Sequence, residues 1–103
     1  MSLVAILSPY AGDVERNVLY AKQAMLNSIG HGETPIVPHL LYTQVLNDEI
    51  PSDRLLGLNL GAQWFSVIDY AVVYLDHGIS EGMSKEIDQL TGMDIRFINR
   101  KIL

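Results

Sequence analysis

Apolar and polar positions follow one another in blocks that predict four strands separated by three helices. Short runs of apolar and β-branched residues, bounded by turn residues, are typical of buried strands. Such runs occur at Leu3–Leu7, Pro35–Pro38, Tyr70–Leu75 and Asp94–Ile98. The second run carries a proline at each end. Because proline lacks the N–H that a central strand donates, we expect this strand at an edge of the sheet.

Helical periodicity fills the intervals between the strands. The first helix is expected to begin after Asp13, which is a good N-cap residue. Its apolar side chains recur every three or four residues, as one face of a helix requires. They are Val14, Val18, Ala21, Met25 and Ile29. We expect Gly30 and Gly32 to end this helix, because glycine best accommodates the turn that follows a helix.

The two later helices are predicted from serine caps and apolar side chains. Ser52 is expected to cap a helix that continues through three leucines to Phe65. Ser80 is expected to cap another helix, which ends at Gly92. The apolar face of this last helix consists of Met83, Ile87 and Leu90. Residues 39–51 are predicted to be irregular or to contain a short turn of helix.

The resulting β-α-β-α-β-α-β order predicts a single flavodoxin-like α/β domain over residues 1–103. Alternating strands and helices make right-handed crossovers, which produce a parallel sheet covered on both faces. We therefore expect three layers and a mainly parallel sheet of four to five strands in the order 2-1-3-4. Such sheets bind ligands beyond the carboxyl ends of the strands, where the strand order reverses. In this order the reversal lies between strands 1 and 3.

Two loops that contain small and polar residues border the predicted crevice. "SPYAGD" (8–13) follows strand 1 and "DHGISEG" (76–82) follows strand 3. Each leads into a helix N-terminus, where free N–H groups and the helix dipole favour an anion. Arg16, one turn into the first helix, can reach a phosphate, and His39 can line the crevice wall. The candidate binding residues are Ser8, Pro9, Tyr10, Gly12, Asp13, Arg16, His39, Gly78, Ser80, Gly82 and Met83.

Three carboxylates near these loops are candidates for catalysis. Glu81 stands in the first turn of the last helix, where free amides favour its ionised form and thus a nucleophile. Acidic residues are, however, also favoured there for helix stability alone. Asp76, at the end of strand 3, either completes the carboxylate pair that glycosidic chemistry needs or simply caps the loop. Asp69, before strand 3, either orients the site from beneath or merely ends the second helix.

Composition narrows the classes of function. The 103 residues are 49% hydrophobic and carry a net charge of −5, which argues against binding to a nucleic acid polymer. The chain has no cysteine, no metal-ligand spacing among its histidines and no dinucleotide or P-loop motif. We therefore expect no metal and no cofactor. No apolar run approaches the ~20 residues of a membrane span, and the N-terminus lacks a basic signal region. We expect a cytoplasmic protein without membrane partners.

The two loops resemble those of the nucleoside 2-deoxyribosyltransferase superfamily, which also contains nucleotide N-glycosidases. The matching segments are "LSPYAGD" (7–13), "PHLLY" (38–42) and "YLDHGISEGMSKEI" (74–87), and they are most similar to a small bacterial and phage branch. The resemblance implies that Glu81 attacks the anomeric carbon of a nucleoside and that Asp76 assists protonation of the base.

The resemblance has further implications for individual residues. It implies that Asp69 matches an aspartate of the family's nucleotide hydrolases and that Ser80 lies near the sugar or phosphate. This chain also departs from the family at one position, because the place of the family's strand-1 tyrosine falls near Ala5 here. That tyrosine helps to hold the nucleophile, so its replacement bears on catalysis more than on binding.

Three functions are compatible with these residues. The first is an N-glycosidase or deoxyribosyltransferase that binds a nucleoside or nucleotide and acts through Glu81. The second is a binding protein that holds a nucleotide-derived signal without turnover, such as a phage protein that sequesters an ADP-ribose-like defence signal. The third is an interaction module with a vestigial pocket. We expect a homodimer or a larger homo-oligomer in each case, because the leucine-rich second helix offers more apolar surface than one small sheet needs.

Overall fold

Four short strands lie side by side in the computed structural model, which describes residues 1–103. The strands are β1 (Leu3–Leu7), β2 (Thr34–Ile36), β3 (Tyr70–Tyr74) and β4 (Phe97–Arg100). All pair in parallel, in the order β2-β1-β3-β4. The predicted strand order and flavodoxin-like α/β class are therefore confirmed, with four strands in the sheet.

Four helices connect the strands and cover both faces of the sheet. They are α1 (Val14–Gly30), α2 (Pro38–Leu41), α3 (Pro51–Trp64) and α4 (Glu81–Gly92). A single 3₁₀ turn, Tyr42–Gln44, follows α2, so the region predicted as irregular contains a short helical stretch. Helix α1 packs on one face of the sheet, and α4 with the C-terminal end of α3 packs on the other.

The two central strands explain the strongest sequence signals. β1 and β3 are buried on both faces, and a strand of this kind is a continuous apolar run instead of an alternating one. Alternate side chains of these strands therefore enter two separate cores. The core beneath α1 contains Val4, Ile6, Tyr20, Ala21, Ala24, Val37, Val72 and Tyr74. The core beneath α3 and α4 contains Ala5, Leu7, Phe65, Ala71, Val73, Met83 and Leu90.

Proline makes two predicted boundaries wrong. Helix α3 begins at Pro51 with Ile50 as its N-cap, and no side chain caps it, so Ser52 lies inside the helix. Pro38 likewise opens α2, which ends the extended segment before it, and β2 stops at Ile36. Proline suits the first helical position because its fixed φ is helical and the missing N–H has no partner there.

The last strand begins at Phe97, not at the predicted Asp94. After α4, Asp94 adopts a left-handed conformation with φ of +56°, which aspartate tolerates better than most residues. The Ile95 N–H then donates to the Leu90 carbonyl at 2.9 Å and closes the end of the helix. Because these residues complete the helix, the strand starts only after them and extends to Arg100.

Apolar side chains also remain on the surface. Leu55 and Leu56 of α3 are 61% and 46% exposed, and Leu26 of α1 is 71% exposed. The homo-oligomer stays a prediction, and these positions are where a contact between copies would bury apolar area. None of the helices combines the length and the apolar character needed to cross a membrane.

Candidate functional site

A cavity of about 360 Å³ opens at the carboxyl edge of the sheet. Its walls are the loop after β1, the α2 segment after β2, one side of α3, and the first turns of α4. The volume falls within the roughly 300–1,000 Å³ of typical small-molecule sites. The cavity lies where the strand order 2-1-3-4 predicts a ligand crevice.

The cavity brings together most of the residues predicted to bind a ligand. Those that line it are Ser8, Tyr10, Gly12, His39, Ser80, Gly82 and Met83. Pro9, Asp13, Arg16 and Gly78 do not line it. Asp13 instead caps α1, accepting the Arg16 N–H at 3.2 Å. The Arg16 guanidinium donates to the Asn17 side chain at 3.2 Å and is therefore engaged within α1.

Asn17 is a structural partner of the site that the sequence reasoning missed. It is 1% exposed, and its Nδ2 donates to the carbonyls of Tyr10 at 2.9 Å and Ala11 at 3.1 Å. These bonds hold the loop after β1 against α1. Gly12, with φ of +99°, supplies the left-handed turn that leads into the helix. Asn17 thus places Tyr10 at the cavity wall.

The N-terminus of α4 forms the wall opposite this loop. The Ser80 hydroxyl accepts the Met83 N–H at 3.2 Å, which confirms the predicted cap. Glu81, the first residue of the helix, lines the cavity. Its carboxylate lies 3.3 Å from Lys85 Nζ, and its side chain is 74% exposed. Glu81 therefore stands at the solvent-facing rim.

Glu86 lies deeper in the same wall and was not predicted. Its residue is 8% exposed, yet it is one of the cavity-lining residues. Burial alone raises the pKa of the Glu86 carboxyl to about 8. At neutral pH the group is therefore mainly protonated. The available signal was an acidic residue on the buried face of α4, three positions after Met83 and four before Leu90.

The raised pKa makes the stability of the fold depend on pH. Between pH 5 and 8 the folded state keeps a proton on Glu86 that the unfolded chain releases, so the free energy of unfolding falls as pH rises. Glu86→Gln removes this titration. We expect the stability of the variant relative to wild type to increase by ~3 kcal/mol from pH 5 to pH 8.

Urea unfolding of both proteins at the two pH values measures this difference. Other titrating groups cancel in the comparison, because both proteins contain them. Glu81→Gln is the matched control on the same helix, and its stability relative to wild type should change little. A constant difference between Glu86→Gln and wild type would show that Glu86 is ionised in the folded state.

Two predicted catalytic residues lie outside the cavity. Asp69 accepts the Leu3 N–H at 2.7 Å, which places it at the amino ends of β1 and β3. This is the opposite edge of the sheet from the cavity, so the predicted role of Asp69 in orienting the site is wrong. Its carboxylate instead ties the starts of the two central strands together.

Asp76 does follow β3 but faces α1 and the C-terminal residues. Its carboxylate accepts the Tyr20 hydroxyl at 2.6 Å and the N–H groups of Ile102 and Leu103 at 2.9 and 3.2 Å. Burial acts to raise its pKa, but these hydrogen bonds outweigh burial and hold the pKa at about 2. The predicted pair of Asp76 and Glu81 is therefore not assembled around the cavity, and the buried carboxyl that lines the cavity together with Glu81 is Glu86.

The outer part of the cavity carries charge of both signs. Arg54 of α3 lines it and forms no ion pair, while Asp53 accepts the Asn47 N–H at 2.9 Å. The available cation is therefore Arg54 on α3 and not the predicted Arg16. No cluster of three or more histidine or acidic side chains converges in a way that could hold a metal ion.

Comparison with known proteins gives a family but no activity. A family model described as "Domain of unknown function (DUF7768)" matches residues 2–100, nearly the whole chain. Comparison with curated proteins found no match to the chain. The function must therefore be argued from the cavity and its side chains.

Proposed function

The chain belongs to the DUF7768 family of domains of unknown function, and from its cavity we propose that it binds a nucleoside or nucleotide and cleaves the N-glycosidic bond. The observation that carries the proposal is the buried carboxyl of Glu86 in the cavity wall. A group that is protonated near neutral pH is suited to donate a proton to a leaving group. Loss of a nucleobase is a reaction that needs such a proton.

The aromatic wall supports a planar ligand. Tyr10 and Tyr42 both line the cavity. Trp64 Nε1 donates to the Tyr42 hydroxyl at 2.9 Å, which restrains the Tyr42 side chain. Aromatic side chains offer flat surfaces on which any nucleobase can stack, because every base has a π-face. A base held there would lie in the same cavity as the Glu86 carboxyl.

In the proposed reaction Glu86 acts first as an acid and then as a base. Its carboxyl donates a proton to the nucleobase while the bond between C1′ and the base nitrogen breaks. The base leaves with the bonding electron pair, and C1′ becomes an electron-poor, oxocarbenium-like centre. Water adds to C1′ and returns a proton to the Glu86 carboxylate. The products are the free base and the sugar or sugar phosphate.

Glu81 keeps its predicted role as a nucleophile in a variant of this scheme. Its carboxylate would form an ester with C1′, which water or a second base would then open, giving hydrolysis or deoxyribosyl transfer. The Glu81 side chain is 74% exposed and forms an ion pair with Lys85, so its carboxylate lies at the solvent-facing rim. A carboxylate in water is stabilised by solvent and reacts less readily, so the geometry supports Glu86 more strongly than Glu81.

Base release from a substrate panel tests the proposal. Wild-type protein is incubated with 2′-deoxynucleosides and their 5′-monophosphates near pH 7, and the free bases are separated by chromatography. We expect release from at least one member of the panel, with heat-denatured protein as the control. If no base is released from any member, the enzymatic proposal is wrong.

A non-catalytic nucleotide binder is the second candidate, and the placement of Asp76 favours it. The carboxylate that was expected to assist catalysis is engaged by Tyr20 and the C-terminal backbone and does not line the cavity, so it is not placed to assist protonation of a base bound there. Mass measurement of small molecules released from the purified, heat-denatured protein separates the candidates. An unchanged nucleotide, such as an ADP-ribose derivative, favours a binder, and a free base favours the enzyme.

A further inference from the structure

Ser8 and His39 form a hydrogen-bonded pair in the wall of the cavity. Ser8 Oγ lies 2.7 Å from His39 Nε2, and both residues line the cavity. Ser8 is only 3% exposed. Its hydroxyl therefore has His39 as its protein partner and the cavity interior as the remaining direction in which to bond. Which of the two groups donates decides what the ligand meets there.

The second ring nitrogen of His39 settles the direction of this hydrogen bond. Burial lowers the pKa of His39 to about 4, so the ring is neutral near pH 7 and carries one N–H. Nδ1 is inaccessible to solvent and has no hydrogen-bond partner. Buried N–H groups without an acceptor are rarer than acceptors without a donor. The proton therefore belongs on Nε2, and His39 donates to the Ser8 oxygen.

We propose that Ser8, oriented by His39, donates its hydroxyl hydrogen to an acceptor atom of the bound ligand. The lone pair of Ser8 that faces His39 is occupied by the Nε2–H, which leaves the O–H for the cavity. The direction of the hydrogen bond between Ser8 and His39 is independent of the proposed function, whereas the nature of the ligand rests on the proposed function. Ser8 is thus a positioning and specificity-determining residue.

This arrangement defines the chemistry that the ligand must offer. Two buried O–H donors line the cavity, the hydroxyl of Ser8 and the protonated carboxyl of Glu86. A matching ligand carries acceptors such as a base carbonyl, an unprotonated ring nitrogen or a sugar oxygen. A site built on a hydrogen bond discriminates strongly against an analogue that lacks the matching atom, because the buried donor is then left unpaired.

The same geometry excludes Ser8 as a nucleophile activated by His39. A serine nucleophile needs a base with a free lone pair directed at its hydroxyl. Here the His39 nitrogen next to Ser8 carries the proton, and the lone pair is on Nδ1, which Ser8 does not contact. The pair therefore sets the orientation of a hydroxyl and performs no proton abstraction.

Nitrogen-15 NMR of the wild-type protein tests the direction of the bond without any ligand. Imidazole nitrogens that carry a proton differ clearly in chemical shift from those that do not. We expect His39 to show a protonated Nε2 and an unprotonated Nδ1 near pH 7. A protonated Nδ1 would overturn the inference, because Ser8 would then donate to His39 and have no hydrogen for the ligand.

Variants test the donation to the ligand, with 2′-deoxyadenosine and 2′-deoxyuridine as calorimetric probes. Ser8→Ala should weaken binding of the better probe about 10-fold, the usual effect of losing one buried hydrogen bond. His39→Gln places an amide near the Nε2 position, where it can still donate to Ser8, so the affinity of this variant should stay within about 3-fold of wild type. His39→Asn cannot reach Ser8 and should resemble Ser8→Ala.

Ser84→Ala, an exposed serine of α4, is the matched control, and thermal unfolding checks that all variants are folded. Wild-type affinity in Ser8→Ala would overturn the inference. If wild-type protein binds neither the probes nor their 5′-monophosphates, the proposed ligand class is wrong. The tautomer of His39 still decides in that case whether Ser8 is a donor to the cavity.

Discussion

Replacing Glu86 with glutamine is expected to lower the rate of base release by about 10²–10⁴-fold, the usual contribution of a general acid. Glutamine has nearly the same shape and fills the same buried position, but it has no acid proton to give to the leaving base. The measurement is kcat for the best substrate of the wild-type panel. Far-ultraviolet circular dichroism confirms that the variant is folded.

Glu81→Gln is the matched control for this prediction. It changes the same functional group on the same helix, at the exposed rim, and we expect a loss of less than about 10-fold. The pH dependence adds a second check, because wild-type activity should fall as pH rises through about 8 and Glu86 loses its proton. A full rate in Glu86→Gln with a large loss in Glu81→Gln would assign the chemistry to Glu81.

Replacing Arg100 with methionine should lower the free energy of unfolding by about 3–5 kcal/mol, the cost of breaking a buried ion pair. Arg100 ends β4 and Glu33 precedes β2, at opposite edges of the sheet. The guanidinium donates to both carboxylate oxygens of Glu33, at 2.7 and 3.0 Å, and the two side chains are 15% and 5% exposed. Methionine keeps the apolar length but leaves the carboxylate without its cation.

The surroundings of Glu33 increase this cost. The hydroxyls of Ser28 and Tyr70 also donate to its carboxylate. The hydrogen bonds from Arg100 are the largest cause that lowers its pKa to about 2, so the group stays charged in wild type. Without Arg100 the folded state must bury an unbalanced charge or take up a proton. Either route lowers the stability near pH 7.

A double-mutant cycle separates the ion pair from lost packing. The variants are Arg100→Met, Glu33→Gln and their combination, measured by urea unfolding. We expect the double variant to lose less stability than the sum of the single variants, because the charge left unpaired by one change is removed by the other. Arg96→Met, an exposed arginine 4.8 Å from the Tyr70 ring, should cost no more than about 1 kcal/mol. A similar loss in Arg96→Met and Arg100→Met would contradict the prediction.

The candidate site was predictable in part: features set by adjacent residues were predicted correctly, and side-chain directions were not. Ser80 caps α4 as its sequence position predicts, and the loop after β1 borders the cavity, because caps and loop ends are set by adjacent residues. Asp69 and Asp76 are near the right strand in sequence, yet neither reaches the cavity. Proximity to a strand end does not specify the direction of a side chain.

Glu86, in contrast, lines the cavity but was not among the predicted site residues. It stands on the apolar face of a predicted helix, which is a visible signal, but the sequence does not show how deeply that face is buried. Its raised pKa comes from desolvation by residues of other elements, and no local pattern contains that information. The same holds for Arg54, which reaches the cavity only because α3 crosses it.

Periodicity, caps and the order of elements were enough to predict the parallel 2-1-3-4 sheet and the edge at which the cavity opens. The elements depend on neighbouring residues, and parallel β-α-β units almost always make a right-handed crossover. The contacts that choose the chemistry join residues far apart in the chain. Ser8 meets His39, Asp76 meets Ile102, and Glu33 meets Arg100 only after the strands and helices have packed. Burial and pairing are properties of that packing. The folded structure, and not the sequence pattern, therefore determines that Glu86 is protonated in the cavity and that Asp76 and Glu33 are hydrogen-bonded to distant parts of the chain.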